Sequence, residues 1–301
     1  MTKKVLIIFL TILLSFSCQV KYIKADKNMI YHIASVNNNV CKKLKGDVIL
    51  YAIFVDSKYT GIWTQYDMSS TIDSIKLATK WIEKEAMKNG INLSIKIDYH
   101  RNKKIIPIAT NFQRRTLSGT LFGSNGIKNV DRWADKVAKE ALKPYGPDTS
   151  STTKTKIVPK DRENLLARLR DIHQTDNVGL IYFINNFYTD EVSVVLHASE
   201  DYSPEYGIVS FKSPGTIAHE FLHLFGAFDL YLSPFDKKKD IKKKKEFAMK
   251  EFPNEIMAFP HRRLSTLEIS PFTKYLIGWD NQLDSKYKDM LIGKKIKIVK
   301  Y

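Results

Sequence analysis

Residues 213–229 constrain the fold of this chain more than any other stretch. They read SPGTIAHEFLHLFGAFD and place His219 and His223 four residues apart, with Glu220 directly after the first histidine. The serine at the start is a good helix N-cap and the proline after it suits a first turn, so a helix is predicted to begin here. Histidines four residues apart leave the same face of a helix, one turn from each other.

The other positions of this predicted helix are apolar on almost every side, which places it in a protein core. Buried imidazoles and a buried carboxylate need compensation, and a metal ion supplies it. Two imidazole nitrogens at this spacing can each reach one zinc ion at about 2.0–2.1 Å. Glu220 points beside such an ion, where it can take a proton from water. The alternative is a pair of core histidines satisfied by ordinary hydrogen bonds.

The sequence beyond His223 extends this motif. Gly226 lies where the helix is expected to end in a left-handed turn, and Asp229 lies where the reversed chain can return to the metal. The pattern HExxHxxGxxD resembles the extended zinc motif of the metzincin metalloproteases, in the aspartate form of the snapalysin-like branch; most metzincins have a third histidine there. The other candidates for the third ligand are Asp236, Glu255, His261 and Glu268.

The resemblance to metzincins implies an α+β fold. It consists of a mixed twisted sheet with backing helices, an active-site helix that carries the two histidines, and a small C-terminal subdomain after a methionine turn. Residues 254–259 resemble that turn, with Met257 as its methionine. Phe259 stands where some metzincins have a tyrosine that stabilises the oxyanion, and Tyr231 or Tyr275 are the candidates to replace it.

The same resemblance implies a zinc-dependent endopeptidase that acts on a protein or peptide substrate. One catalytic Zn²⁺ would lie on His219, His223 and Asp229, and Glu220 would be the general base for the attacking water. Metzincins hold the substrate in extended form along an edge strand before the zinc helix, and residues 206–211 occupy that place in the sequence. The alternatives are an exported basic surface binding protein with this fold and a zinc hydrolase that acts on cell-wall peptide. Calcium sites and the oligomeric state stay open.

The first residues have the pattern of an export signal. Lys3 and Lys4 precede an apolar run over residues 5–14, which is too short to span a bilayer. The residues up to Cys18 also resemble a bacterial lipobox. Segment 1–18 therefore predicts either plain cleavage or a lipid anchor on Cys18 at the outer membrane or cell surface. Both outcomes give an extracytoplasmic protein, secreted or held at the cell envelope.

The remaining chain divides by composition. Residues 19–45 resemble a polar tether or a short pro-segment, and a basic tail covers residues 281–301. The predicted metalloprotease domain spans residues 46–280, with an upper part over 46–226 and a lower part over 227–280. A hydrophobic fraction of 44% is sufficient for a core of this size.

Apolar periodicity predicts the elements of the upper part. Residues 48–55 are nearly all apolar, which is typical of a strand buried on both faces. Ser70, with Asp73 three residues on, is the predicted N-cap of the next helix, and residues 93–99 alternate as a second strand. This βαβ unit implies a parallel pair. The further predicted elements are helices at 130–141 and 165–172 and strands at 178–184, 192–198 and 206–211.

Basic residues outnumber acidic residues by 48 to 32, which gives a net charge of +16. Such a field favours acidic partners, but a solvated basic surface has the same composition, and no specific nucleic acid is expected. Seven lysines fall within residues 237–245, where a solvated loop is predicted rather than an anionic docking site. The histidines interpreted as surface or structural are His32, His100, His173 and His197.

Overall fold

The computed structural model describes most of the predicted domain. The described residues are 43–58, 60–100, 105–110, 124–145, 161–185, 193–196, 205–210, 212–232 and 238–290. The predicted export segment and nearly all of the predicted tether lie outside these ranges. Within them, every helix is too short or too polar to cross a bilayer.

One sheet organises the described part of the chain. Its strands are β1 (Gly46–Asp56), β2 (Leu93–Tyr99), β3 (Ile108–Ala109), β4 (Asn177–Ile184), β5 (Ser193–Leu196) and β6 (Tyr206–Val209). The order is β2-β1-β4-β6-β5, and β3 pairs with the end of β1. All neighbouring pairs are parallel except β5 and β6. The chain therefore has an α+β fold on a mainly parallel sheet.

The position of β6 corrects one expectation. Residues 206–211 were expected to form an edge strand, but β6 lies between β4 and β5. Among the described strands the edge is β5, which runs antiparallel to β6 with Val194 opposite Ile208. The expectation is wrong because the position of a strand in a sheet depends on tertiary packing. An apolar sequence does not distinguish an edge strand from the strand next to it.

Helices cover both faces of the sheet. They are α1 (Gln65–Lys88), α2 (Ser124–Leu142), α3 (Asp161–His173), α4 (Pro214–His223), α5 (Lys239–Glu251) and α6 (Pro271–Leu276). Alternate residues of β1 enter two different cores, which confirms that this strand is buried on both faces. Val48, Leu50, Ala52 and Phe54 pack with α1, α4 and the C-terminal elements, whereas Ile49, Tyr51, Ile53 and Val55 pack with α2 and α3.

Helix α1 begins earlier than predicted, so the expectation of an N-cap at Ser70 is wrong. Thr64 is the N-cap and forms a capping box with Asp67. The Asp67 amide donates to the Thr64 hydroxyl at 3.1 Å, and the Thr64 amide donates to the Asp67 carboxylate at 3.3 Å. The extra turn buries Met68 in the core, which favours the earlier start.

The lysine-rich segment is helix α5 rather than the predicted loop. Ala248 is buried on its inner face, and the Phe252 side chain just after it joins the same core. Lys245 is also buried, with its ammonium 5.8 Å from the centre of the Tyr231 ring. Burial of this face stabilises the helix, and the flexible lysine stems can keep their charges in solvent. The run of like charges alone would not predict a helix.

The two ends of the described domain meet. Leu44, within the predicted tether, is buried, and its amide donates to the Ile277 carbonyl at 3.0 Å. The Trp279 indole donates to the Leu44 carbonyl at 2.6 Å. Residues 285–290, within the predicted tail, form a short 3-10 helix that buries Tyr287 in the same core. The packed domain thus includes residues on both sides of 46–280.

Candidate metal centre

Helix α4 carries the two histidines in the core. Ser213 caps it as predicted, because its hydroxyl accepts from the Thr216 amide at 3.1 Å, and Pro214 occupies the first turn. Gly179 on β4 lets the helix lie against the sheet. A Cβ at that position would come within 2.7 Å of the Phe221 ring.

The chain reverses directly after α4. Gly226 has a φ of +99°, which confirms the predicted left-handed turn, and a Cβ there would also lie 3.2 Å from the Leu276 carbonyl oxygen. The Ala227 amide then donates back to the Leu222 carbonyl at 3.3 Å. This reversal returns Asp229 to the face of α4 that carries the histidines.

Three side-chain atoms converge at this point. His219 Nε2 and His223 Nε2 are 3.0 Å apart, and Asp229 Oδ1 lies 3.1 Å from the first and 2.9 Å from the second. The ligands of a tetrahedral zinc ion are about 3.3 Å apart, given bonds of about 2.0–2.1 Å. Among the described residues, no other group of three His, Cys, Asp or Glu side chains converges in this way. The donor set and its spacing fit a zinc ion.

Both imidazoles are oriented by backbone carbonyls. His219 Nδ1 donates to the Ile256 carbonyl at 3.2 Å, and His223 Nδ1 donates to the Ala227 carbonyl at 2.8 Å. A carbonyl can only accept, so each Nδ1 carries a hydrogen and each Nε2 faces the shared point, where it can bind either a proton or a metal ion. This is the arrangement in which outer contacts orient metal-binding histidines.

The charges at the cluster are strongly coupled. Burial alone would lower the pKa of His223, but the carboxylates of Asp229 and Glu220 outweigh it and raise that pKa to about 9. Burial would raise the pKa of Asp229, but the two histidines hold it well below its usual range. The cluster thus attracts positive charge, which either a proton or a metal ion can supply.

Glu220 and Met257, the predicted base and the predicted turn methionine, are both buried. Glu220 is buried on α4, one residue after His219. Met257 is buried in a turn whose Ala258 and Phe259 amides donate to the Glu255 carbonyl at 3.1 and 2.9 Å. The preceding carbonyl of this turn is the one that orients His219.

The alternative third ligands that the structure describes do not join the cluster. Glu255 is buried and accepts hydrogen bonds from other parts of the chain. His261 and Glu268 are exposed, and Asp236 lies outside the described residues. Of the two tyrosines considered as replacements at Phe259, Tyr231 lies beside the cluster, with its ring centre 6.0 Å from that of His219.

The remaining histidines lie elsewhere. His173 and Asp98 form a buried pair, with His173 Nε2 2.8 Å from Asp98 Oδ2, and His100 is buried after β2. His32 and His197 lie outside the described residues. Sequence reasoning did not find the orienting carbonyls or the hydrogen bonds that Glu255 accepts, because backbone groups carry no sequence signal and these contacts join separate segments.

Comparison with known proteins supplies no relative from which to transfer a function. Searches of protein-family models, of curated proteins and of solved structures found no match for this chain. A function for this chain therefore has to follow from the residues of the site and from the fold that positions them.

Proposed function

We propose that this chain is a zinc-dependent endopeptidase with a metzincin-type fold. The observation that supports it best is the convergence of His219 Nε2, His223 Nε2 and Asp229 Oδ1 within 3.1 Å of one another. Both histidines have the tautomer that a metal needs, because both Nδ1 atoms donate to carbonyls. Two histidines and one carboxylate form a ligand set that other zinc peptidases use, with a fourth position left for water or substrate.

The chemistry divides between the metal and the chain. A zinc ion bound here would supply a Lewis acid that polarises a peptide carbonyl and makes water more acidic. Glu220, one residue round the helix from His219, accepts the proton of the attacking water and passes it to the leaving amine. Met257 is buried in the core, and the carbonyl of the adjacent Ile256 holds the His219 ring in place.

The open edge of the sheet provides a place for an extended substrate. Strand β5 pairs with β6 on one side only in the described structure, and it precedes the helix that carries the histidines. A peptide backbone can add to such an edge by main-chain hydrogen bonds. The edge function first expected for residues 206–211 is therefore assigned to Ser193–Leu196.

The proposed enzyme works outside the cytoplasm. Residues 1–18 have the pattern of an export signal, and Cys18 is the candidate for a lipid anchor. The metalloprotease domain has its upper part over 46–226 and its lower part over 227–280, with the methionine turn in the lower part.

The test compares the purified chain with Glu220→Gln and with Glu246→Gln, an exposed glutamate of α5 that serves as a control. Zinc content is measured by elemental analysis. Peptidase activity is measured as the hydrolysis of a mixed peptide library. We expect one zinc in all three proteins, with cleavage by the wild type and the control but not by Glu220→Gln. One zinc without cleavage of any library, including cell-wall peptides, would favour the binding-protein alternative. Absence of zinc from the wild type would refute the proposal.

A further inference from the structure

Glu255 is a buried carboxylate that the proposed reaction does not use. Its side chain is fully buried, and it accepts from the Met257 amide at 3.2 Å and from the Thr273 hydroxyl at 3.1 Å, both on Oε1. The Ser270 amide donates to Oε2. Both oxygens are thus engaged inside the protein, which accounts for the absence of Glu255 from the metal cluster.

The turn that begins at Glu255 contacts the metal cluster at two places. The Ile256 carbonyl accepts from His219 Nδ1 at 3.2 Å. The Met257 carbonyl accepts at 2.9 Å from the amide of Leu230, the residue directly after Asp229. One turn therefore holds the ring of one proposed ligand and the backbone beside another.

The carboxylate connects this turn to helix α6. Ser270 is the N-cap of α6 and Thr273 lies in its first turn, where Phe272 is buried in the core. The end of the same helix meets the left-handed turn at Gly226. Glu255 is therefore the side chain that ties the metal-facing turn to the packed C-terminal subdomain.

We infer that Glu255 is a positioning residue for the metal site, which sets how tightly and in what geometry His219 and Asp229 bind zinc. This inference rests on the proposed function. Its physical basis is that a ligand held in its binding orientation loses less freedom when the metal arrives. Contacts that orient metal ligands typically change the metal affinity by about 10–100-fold when they are removed.

The test uses Glu255→Gln, with Glu268→Gln as a matched control. Glutamine keeps the size of the side chain but turns an amide nitrogen toward groups that are all donors. Glu268 lies in the adjoining segment, is exposed, and meets this turn through its backbone. The zinc Kd is measured by chelator competition, and the coordination geometry by the visible absorption of the cobalt-substituted protein.

We expect Glu255→Gln to weaken zinc binding by about 10-fold or more and to change the cobalt spectrum. We expect Glu268→Gln to match the wild type in both. Thr273→Val, which removes one donor and leaves the carboxylate in place, provides a milder second variant. Thr273→Val should shift the zinc Kd and the cobalt spectrum in the same direction as Glu255→Gln, but by less. If Glu255→Gln does not fold, Thr273→Val tests the positioning role of Glu255 on its own.

The outcomes separate the two proposals. If the wild type binds zinc and the folded Glu255 and Thr273 variants have its Kd and cobalt spectrum, the positioning role is wrong and the metal site stands. If the wild type binds no zinc, the proposed function fails and this inference fails with it.

Discussion

Each histidine of the cluster gives its Nδ1 hydrogen to a carbonyl, which leaves two Nε2 lone pairs 3.0 Å apart beside the Asp229 carboxylate. Two lone pairs at that distance repel, so the metal-free site is stabilised by a proton. The carboxylates of Asp229 and Glu220 raise the pKa of His223 despite its burial, which makes this imidazole the favoured place for that proton. A zinc ion would take its place, so metal binding and proton release are coupled.

This coupling gives a pH prediction. With a His223 pKa of about 9 in the metal-free protein against 6.5 for an ordinary histidine, zinc binding at pH 7.5 should release about one proton, and fewer as the pH passes 9. The metal-free protein should also have extra stability below about pH 6.5 and lose it as the pH rises to about 9. Titration calorimetry in buffers of different ionisation enthalpy measures the number of protons released on zinc binding. Asp229→Asn should reduce that number. An equal proton release from this variant would contradict the assignment of the proton to His223 beside Asp229.

For individual residues, the sequence predicted which side chains converge in the cluster. It did not predict the hydrogen bonds that orient them. Spacing of three and four residues is a local property, so His219, His223 and Asp229 could be placed on one face and one return turn. The His219–Ile256 contact joins residues 37 apart in sequence. Glu255 was interpreted as a candidate ligand because a sequence shows the carboxylate but not the three donors around it.

Helix starts show how local signals compete at the scale of an element. Thr64 with Asp67 and Ser70 with Asp73 have the same capping pattern, six residues apart. The structure uses the first, because the additional turn buries Met68. The order of the strands was harder to predict from the sequence than the start of a helix. Both β5 and β6 were predicted as strands, but which of them forms the edge depends on the packing of the whole sheet.

The two capping pairs allow a matched stability test. Thr64→Ala should lower the free energy of unfolding by about 1 kcal/mol, because it removes a cap from the first turn of α1. Ser70→Ala replaces an exposed mid-helix residue and should change it by less than about 0.5 kcal/mol. Urea unfolding followed by circular dichroism measures both. A larger loss for the Ser70 variant would place the start of the helix where the sequence analysis put it.

The proposed metal site unites segments that are separate in the chain. Helix α4 supplies two ligands and the turn after it supplies the third, while the turn at Met257 orients His219 through the Ile256 carbonyl. An ion bound to the folded site alone would stabilise all of these contacts together.

Metal removal should therefore lower the melting temperature of the whole domain. At free zinc about 100-fold above Kd, the ion contributes about 2.7 kcal/mol. For a domain of this size, its removal corresponds to a fall in Tm of about 5–10 °C. Calorimetry with zinc and after chelation measures this, with Asp229→Asn as the variant whose shift should be much smaller. The same Tm with and without zinc would argue against a site in the folded core.

The hydrogen bond between Leu44 and Trp279 spans 235 residues. Thr175 likewise contacts Asp47 across 128 residues. A polypeptide emerges from the ribosome or a translocation channel in order, so the central strand β1 appears long before the partners that cover it. One of its two apolar faces stays partly exposed until α4 and the C-terminal segment arrive, and folding is therefore completed late. Such a delay would suit the proposed export of the chain, because a channel that admits only extended polypeptide would meet a chain that has not yet folded.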